Sequence, residues 1–223
     1  MKNQYSRWYQ TEYNLSINQY LTLLNNICDK NLRSNTKNNS IKAMFVPHAG
    51  ISYSGLCSAA AYFNAANLSI KRIILLCTAH SGDSNIYTTN NDKFEIEKNI
   101  VECDIKIINS LIDSTNIHLN NEMFEKEHSF FNQLIFIGSY FPNTKIIPLI
   151  VGSSINHKLN GIINKLKNII TNETIIICTS DTSHINGHFD FRINSNIYNN
   201  IKKKDNIVSK FLNFINVPQK ELY

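Results

Sequence analysis

Four short runs of apolar, β-branched residues constrain this chain more than anything else in it. They are Ala43–Val46, Arg72–Cys77, Lys145–Val151 and Thr174–Cys178. Each is nearly continuous in apolar character and shows no alternation. Such runs suit strands covered on both faces, as in parallel or mixed sheets. Segments with helical spacing lie between and around them. Ser16–Leu32 carries Ile17, Tyr20, Leu21, Leu24 and Ile27 on one stripe, and Gly55–Asn67 is rich in Ala. Leu159–Ile170 repeats Leu and Ile at helical intervals, and Asn196–Ile215 does the same near the end. Strands alternating with helices predict an α/β fold, here a mixed, mostly parallel sheet flanked by helices. No internal repeat or linker divides the sequence, so residues 1–223 read as a single α/β domain. Asn90–Asp92 opens a less regular middle section that runs to about Glu125.

Composition narrows the function classes. The net charge is +5, but there are only four arginines, and the local excess is the run Lys202–Lys204. No basic stripe with interleaved aromatics is present, so the chain does not read as a nucleic-acid binder. The lysine run reads as a solvated helix face. The five cysteines, Cys28, Cys57, Cys77, Cys103 and Cys178, include no C-x-x-C pair. That argues against a disulfide scaffold and for a reducing compartment. No apolar run approaches the ~18 residues of a membrane helix, and the first residues have no secretory h-region. The expectation is a cytoplasmic protein with no membrane partner.

The chemistry-bearing residues cluster at strand ends. His48 follows the first run in "VPHAGISYSG", and His80 follows the second in "LLCTAHSG". Asp181 and His184 follow the fourth in "CTSDTSHING". Ligands of open α/β sheets sit outside the carboxyl ends of the strands, so these side chains are placed to converge. Two readings fit His48 and His80. They can ligate a metal such as iron, copper or zinc, with Gly50 and Gly55 bending the chain beside the site. They can equally cap their strands by bonding nearby carbonyls. His184 suits general acid–base catalysis with Asp181 as partner, and the same loop suits an Asx turn and a helix N-cap. In "FEKEHSFFNQ", Glu127 and His128 can support a metal site from behind, or start a helix on which Phe130 and Phe131 pack. His118, His157 and His188 read as surface residues. No G-x-S-x-G is present, which argues against a serine hydrolase.

Five motifs in order give a resemblance. "VPHAGISYSG", "LLCTAHSGDSNIYTT", "EKEHSFFNQL", "IIPLIVGS" and "CTSDTSHINGHF", with an early "RWY" at Arg7–Tyr9, resemble the Memo family from about Trp8 onward. The resemblance implies the fold of class III extradiol dioxygenases. It implies that His48 and His80 are metal-pocket histidines and that His184 is a third pocket His, with an acid–base role. It implies iron or copper as the metal, hence a metal-dependent oxidoreductase. It also implies phosphotyrosine-containing signalling proteins as partners. The alternative on the same fold is a non-catalytic peptide- or phosphopeptide-binding module. The chain departs from the family in places. The family's next acidic residue and next His after Glu-His-Ser fall at Phe131 and Gln133, and its paired His after the second strand is the single His80, followed by Ser81. The family's remaining ligand, a Cys (a Glu in the dioxygenases), lies in a C-terminal segment with Arg-His-Pro. Against that pattern, the sequence is expected to be C-terminally incomplete.

Overall fold

The four apolar runs lie next to one another in a six-stranded sheet. The computed structural model describes residues 16–32, 41–82, 84–96, 99–153 and 159–181, together with Lys203. Residues 1–180 and 181–223 form two compact units. Of the second unit, only Asp181 and Lys203 are described. The expected helix Asn196–Ile215 lies outside the described residues, apart from Lys203.

Strands β1 (Ala43–Val46), β2 (Arg72–Thr78), β7 (Lys145–Val151) and β8 (Thr174–Thr179) are all parallel, in the order β1-β8-β2-β7. Their register stacks like on like: Ile74 faces Ile147 on one side and Ile176 on the other. The sheet continues through β3 (Ile86–Thr88), antiparallel to β7, to β6 (Ile117–Leu119), parallel to β3. The architecture is therefore α/β with a mixed, mostly parallel sheet, as the apolar runs predict. A separate hairpin of β4 (Lys93–Ile96) and β5 (Asn99–Glu102) fills part of the middle section.

Helix α1 (Ile17–Leu32) starts on a capping box: Ser16 Oγ accepts from Gln19 N–H, and Gln19 Oε1 accepts from Ser16 N–H. It packs on α2 (Ile51–Ala65), which begins four residues earlier than its Ala-rich stretch suggests. Gly55 explains the fit. A Cβ there would lie 3.3 Å from Tyr20 Cε1 and 3.6 Å from Leu24 Cδ1, so the missing side chain admits α1. Helix α3 (Ile105–Ser114) is capped by Asp104, whose carboxylate accepts from Ile107 N–H and from Nε and Nη2 of Arg72. One carboxylate thus ties the start of β2 to the start of a helix. Short α4 (Asn121–Lys126) leads directly into α5 (His128–Tyr140), and α6 (Leu159–Ile169) precedes β8.

Helix α5 is the core element of the fold. Residues Ser129–Gly138 are all buried, and the helix packs on α2, β2, β4 and β5. Phe130 meets Phe94 and Phe124 edge-on, at 4.8 and 5.0 Å between centroids. Tyr62 of α2 stacks on Phe136 at 5.3 Å. Each such aromatic contributes about 1.5–3 kcal/mol through removal from water. Among the described residues, no helix is long and apolar enough to cross a membrane.

Candidate metal centre

The sheet delivers two histidines to one edge. Because β1 and β2 flank β8 in parallel, their carboxyl ends open on the same side. Pro47 ends the pairing of β1 and hands the chain to a short loop, where His48 is buried at 4% exposure. His80 comes two residues beyond β2, with its side chain 41% exposed. The rings of His48 and His80 meet edge-on at 5.0 Å. The two glycines of the first loop do not bend the chain here, contrary to the sequence expectation. Gly50 has φ −50°, open to any residue, and Gly55 lies inside α2. The turn that needs glycine follows His80: Gly82 has φ +72°.

The third imidazole comes from α5. His128, its first residue, lies 4.1 Å from His80 and 5.6 Å from His48, centroid to centroid. His48, His80 and His128 each offer a ligand nitrogen, and the three atoms lie within 4.8 Å of one another. That is the donor set of a three-histidine metal site, and neutral imidazole suits iron, copper, nickel and zinc.

Glu127 organises this cluster from a buried position at 6% exposure. It ends α4 and caps α5. Its Oε2 accepts from the His80 backbone N–H at 2.9 Å. Its Oε1 accepts from Ser129 N–H at 3.0 Å and sits 2.8 Å from His80 Nδ1. His128 Nδ1 lies 3.4 Å from the same oxygen. Burial alone would push the Glu127 carboxyl up. The bonds from the His80 ring, the His80 N–H and the Ser129 N–H outweigh it and pull the carboxyl down to about 2. An ionised carboxylate only accepts, so His80 Nδ1 carries the proton and donates it. In a neutral ring, that leaves Nε2 of His80 as the ligand atom. A carboxylate behind a ligating histidine fixes ring and tautomer in this way at metal sites generally.

The thiols of the sheet take no comparable part. Burial pushes the Cys77 thiol well above its ordinary value, Cys103 to about 12 and Cys178 to about 11. All three stay protonated and behave as small hydrophobes. Asp181 is half-buried and belongs to the second unit, and His184 lies outside the described residues. His118 is exposed on β6, while His157 and His188 lie outside the described residues. The sequence reading placed His128 behind the site with Glu127, whereas the structure sets its ring among the other two. A Glu-His pair at a helix start puts the Glu at the cap and the His at the first helical position, but that alone does not bring the ring to the other two.

The family model of Memo-like proteins matches residues 7–223. The chain belongs to the Memo-like family. Among curated proteins, this Memo-like chain is 25% identical over 154 residues to a MEMO1 family protein of Caldivirga maquilingensis, covering 66% of the chain and 55% of that protein. It is 28% identical over 151 residues to a MEMO1 family protein of Sulfurisphaera tokodaii, covering 64% and 53%. It is 27% identical over 149 residues to one of Methanobrevibacter smithii, again covering 64% and 53%. The chain spans about half the length of the curated relatives it matches.

Proposed function

We propose that this Memo-like chain holds a transition-metal ion, iron or copper, on His48, His80 and His128, and serves as a metal-dependent oxidoreductase. The observation that carries the reading is the convergence of three imidazole ligand atoms within 4.8 Å. When bound, such a metal supplies one-electron redox chemistry. The chain's own residues supply the rest. Glu127 keeps the proton on Nδ1 of His80, so Nε2 is the atom that would bind the metal. The exposed edge of His80 leaves one side of the cluster open for a substrate. Five cysteines without C-x-x-C spacing favour a reducing, cytoplasmic setting.

The test is elemental analysis of purified full-length chain, wild type against His48→Ala/His80→Ala and against His128→Ala. A stoichiometric metal in the wild type, lost in the double variant and reduced in the single one, supports the reading. Equal metal content in all three sinks it. The second reading, a phosphopeptide-binding module, draws on the same open side, where imidazole N–H groups can donate to a phosphate. Phosphopeptide binding by metal-free protein, with no oxygen-dependent turnover, would favour it.

A further inference from the structure

Helix α5 reaches the candidate site at two places. Its start supplies His128 and, through Glu127, holds His80. One turn further on, Asn132 and Gln133 reach the loop that carries His48. Both are buried, at 2% and 0% exposure. Asn132 Nδ2 donates to His48 O at 2.7 Å and to Ala49 O at 3.0 Å. Gln133 Nε2 donates to Pro47 O at 3.0 Å, while its Oε1 accepts from Tyr62 O–H at 3.1 Å. Two hydroxyls of α2 add to this: Ser58 donates to Pro47 O at 3.2 Å and Ser54 to Ala49 O at 2.9 Å.

Three successive carbonyls between β1 and α2 therefore accept from side chains, and every peptide oxygen from Pro47 to Ala49 is tied to α5. Loops ordinarily satisfy such groups with water at the surface. Here the partners are two adjacent amides in a helix whose neighbouring positions are Phe130, Phe131, Leu134 and Ile135, all buried. An apolar pair would fill that space and need no hydrogen bonds. The side-chain amides donate to one tripeptide, the one centred on His48. Asn132 cannot turn over, because its oxygen would then face two carbonyls.

We infer that Asn132 and Gln133 are positioning residues for His48: they clamp its backbone to α5, so that one rigid helix sets the spacing of all three imidazoles. The inference rests on the metal reading for its consequence, and on the hydrogen bonds alone for the clamp.

The test uses the full chain with Co²⁺ alone as the probe, read by its ligand-field absorption, alongside amide hydrogen exchange. Co²⁺ bands in the wild type that are lost in His48→Ala establish the metal reading by themselves. Asn132→Leu is then expected to weaken Co²⁺ binding by about 10- to 100-fold and to shift the bands, as loss of an outer support typically does. Exchange should rise at residues 48–52 and stay unchanged in β2 and β7. A folded Asn132→Leu protein with wild-type affinity and spectrum overturns the inference and leaves the metal reading standing. If the wild type takes up no Co²⁺, the metal reading fails and exchange decides the clamp: a local rise supports it, while no rise or a uniform one overturns it. Should Asn132→Leu not fold, Gln133→Met and Tyr62→Phe are judged by the same measurements and criteria.

Discussion

Glu127→Gln isolates the charge at the centre of the cluster. The Glu127 carboxyl is held at about 2 against an ordinary value of 4.5, by three hydrogen bonds to a group only 6% exposed. A carboxyl depressed that far contributes about 3 kcal/mol to folding at neutral pH. The sign follows from proton binding. Between pH 4.5 and 2 the unfolded chain binds the proton and the native chain does not, so acidification favours unfolding. The contribution is complete above pH 4.5 and is lost as pH falls toward 2. Glutamine keeps the size and one acceptor but has no charge, and its NH₂ faces at least one of the donors now bonded to the carboxylate. Urea unfolding of both proteins, with a chelator present, measures the difference. The wild type should be more stable by about 3 kcal/mol at pH 7, and the gap should narrow from pH 4.5 and nearly close by pH 2. Imidazoles ordinarily titrate near ~6.5, above this window, and the remaining carboxylates cancel in the difference. A gap that stays constant down to pH 2, or one below about 1 kcal/mol at pH 7, would refute the reasoning.

Two further substitutions probe the frame around the site. Asp104→Ala removes both the cap of α3 and the partner of Arg72, a half-buried guanidinium; a loss of about 2 kcal/mol is expected in chemical denaturation, with Asp104→Asn, which keeps the cap, losing less. Gly138→Ala places a Cβ 2.8 Å from Asn99 Cβ, where α5 crosses β5. It should lower thermal stability by about 1–3 kcal/mol despite the better helix propensity of alanine, and a stabilised variant would show that β5 yields freely.

The runs that announced strands did so because β2, β7 and β8 are apolar and largely buried; β1, at the end of the sheet, departs from the expected double cover, with Phe45 exposed. Alternation would have confused the reading, and there was none. The strands that escaped, β3 and β6, have three residues each, too short for any period to register. The β4–β5 hairpin carries Lys93, Glu95 and Glu102, which read as loop. Only the start of helix α5 was legible, as one of two readings of Glu127 and His128; its body is buried from Ser129 to Gly138, so its apolar residues form no stripe. That also hid its role at the site. His48 and His80 were legible from their places after strands. His128 needed the knowledge that α5 folds back over β2, a contact made across 48 residues of sequence from His80. The amides Asn132 and Gln133 left a trace as two polar letters in "FFNQLIFI", meaningful only once the helix is known to be fully buried.

The reliance of all three imidazoles on α5 also sets an order of events. Its partners at Pro47–Ala49 and Thr78–His80 are separated from it by about fifty to eighty residues, and Ser129 Oγ seals the second of these by donating to Thr78 O. Contacts that distant require the intervening loops to close first. No fragment lacking α5 could present the cluster. An ion captured by all three histidines would therefore report that α5 has docked on the ends of β1 and β2.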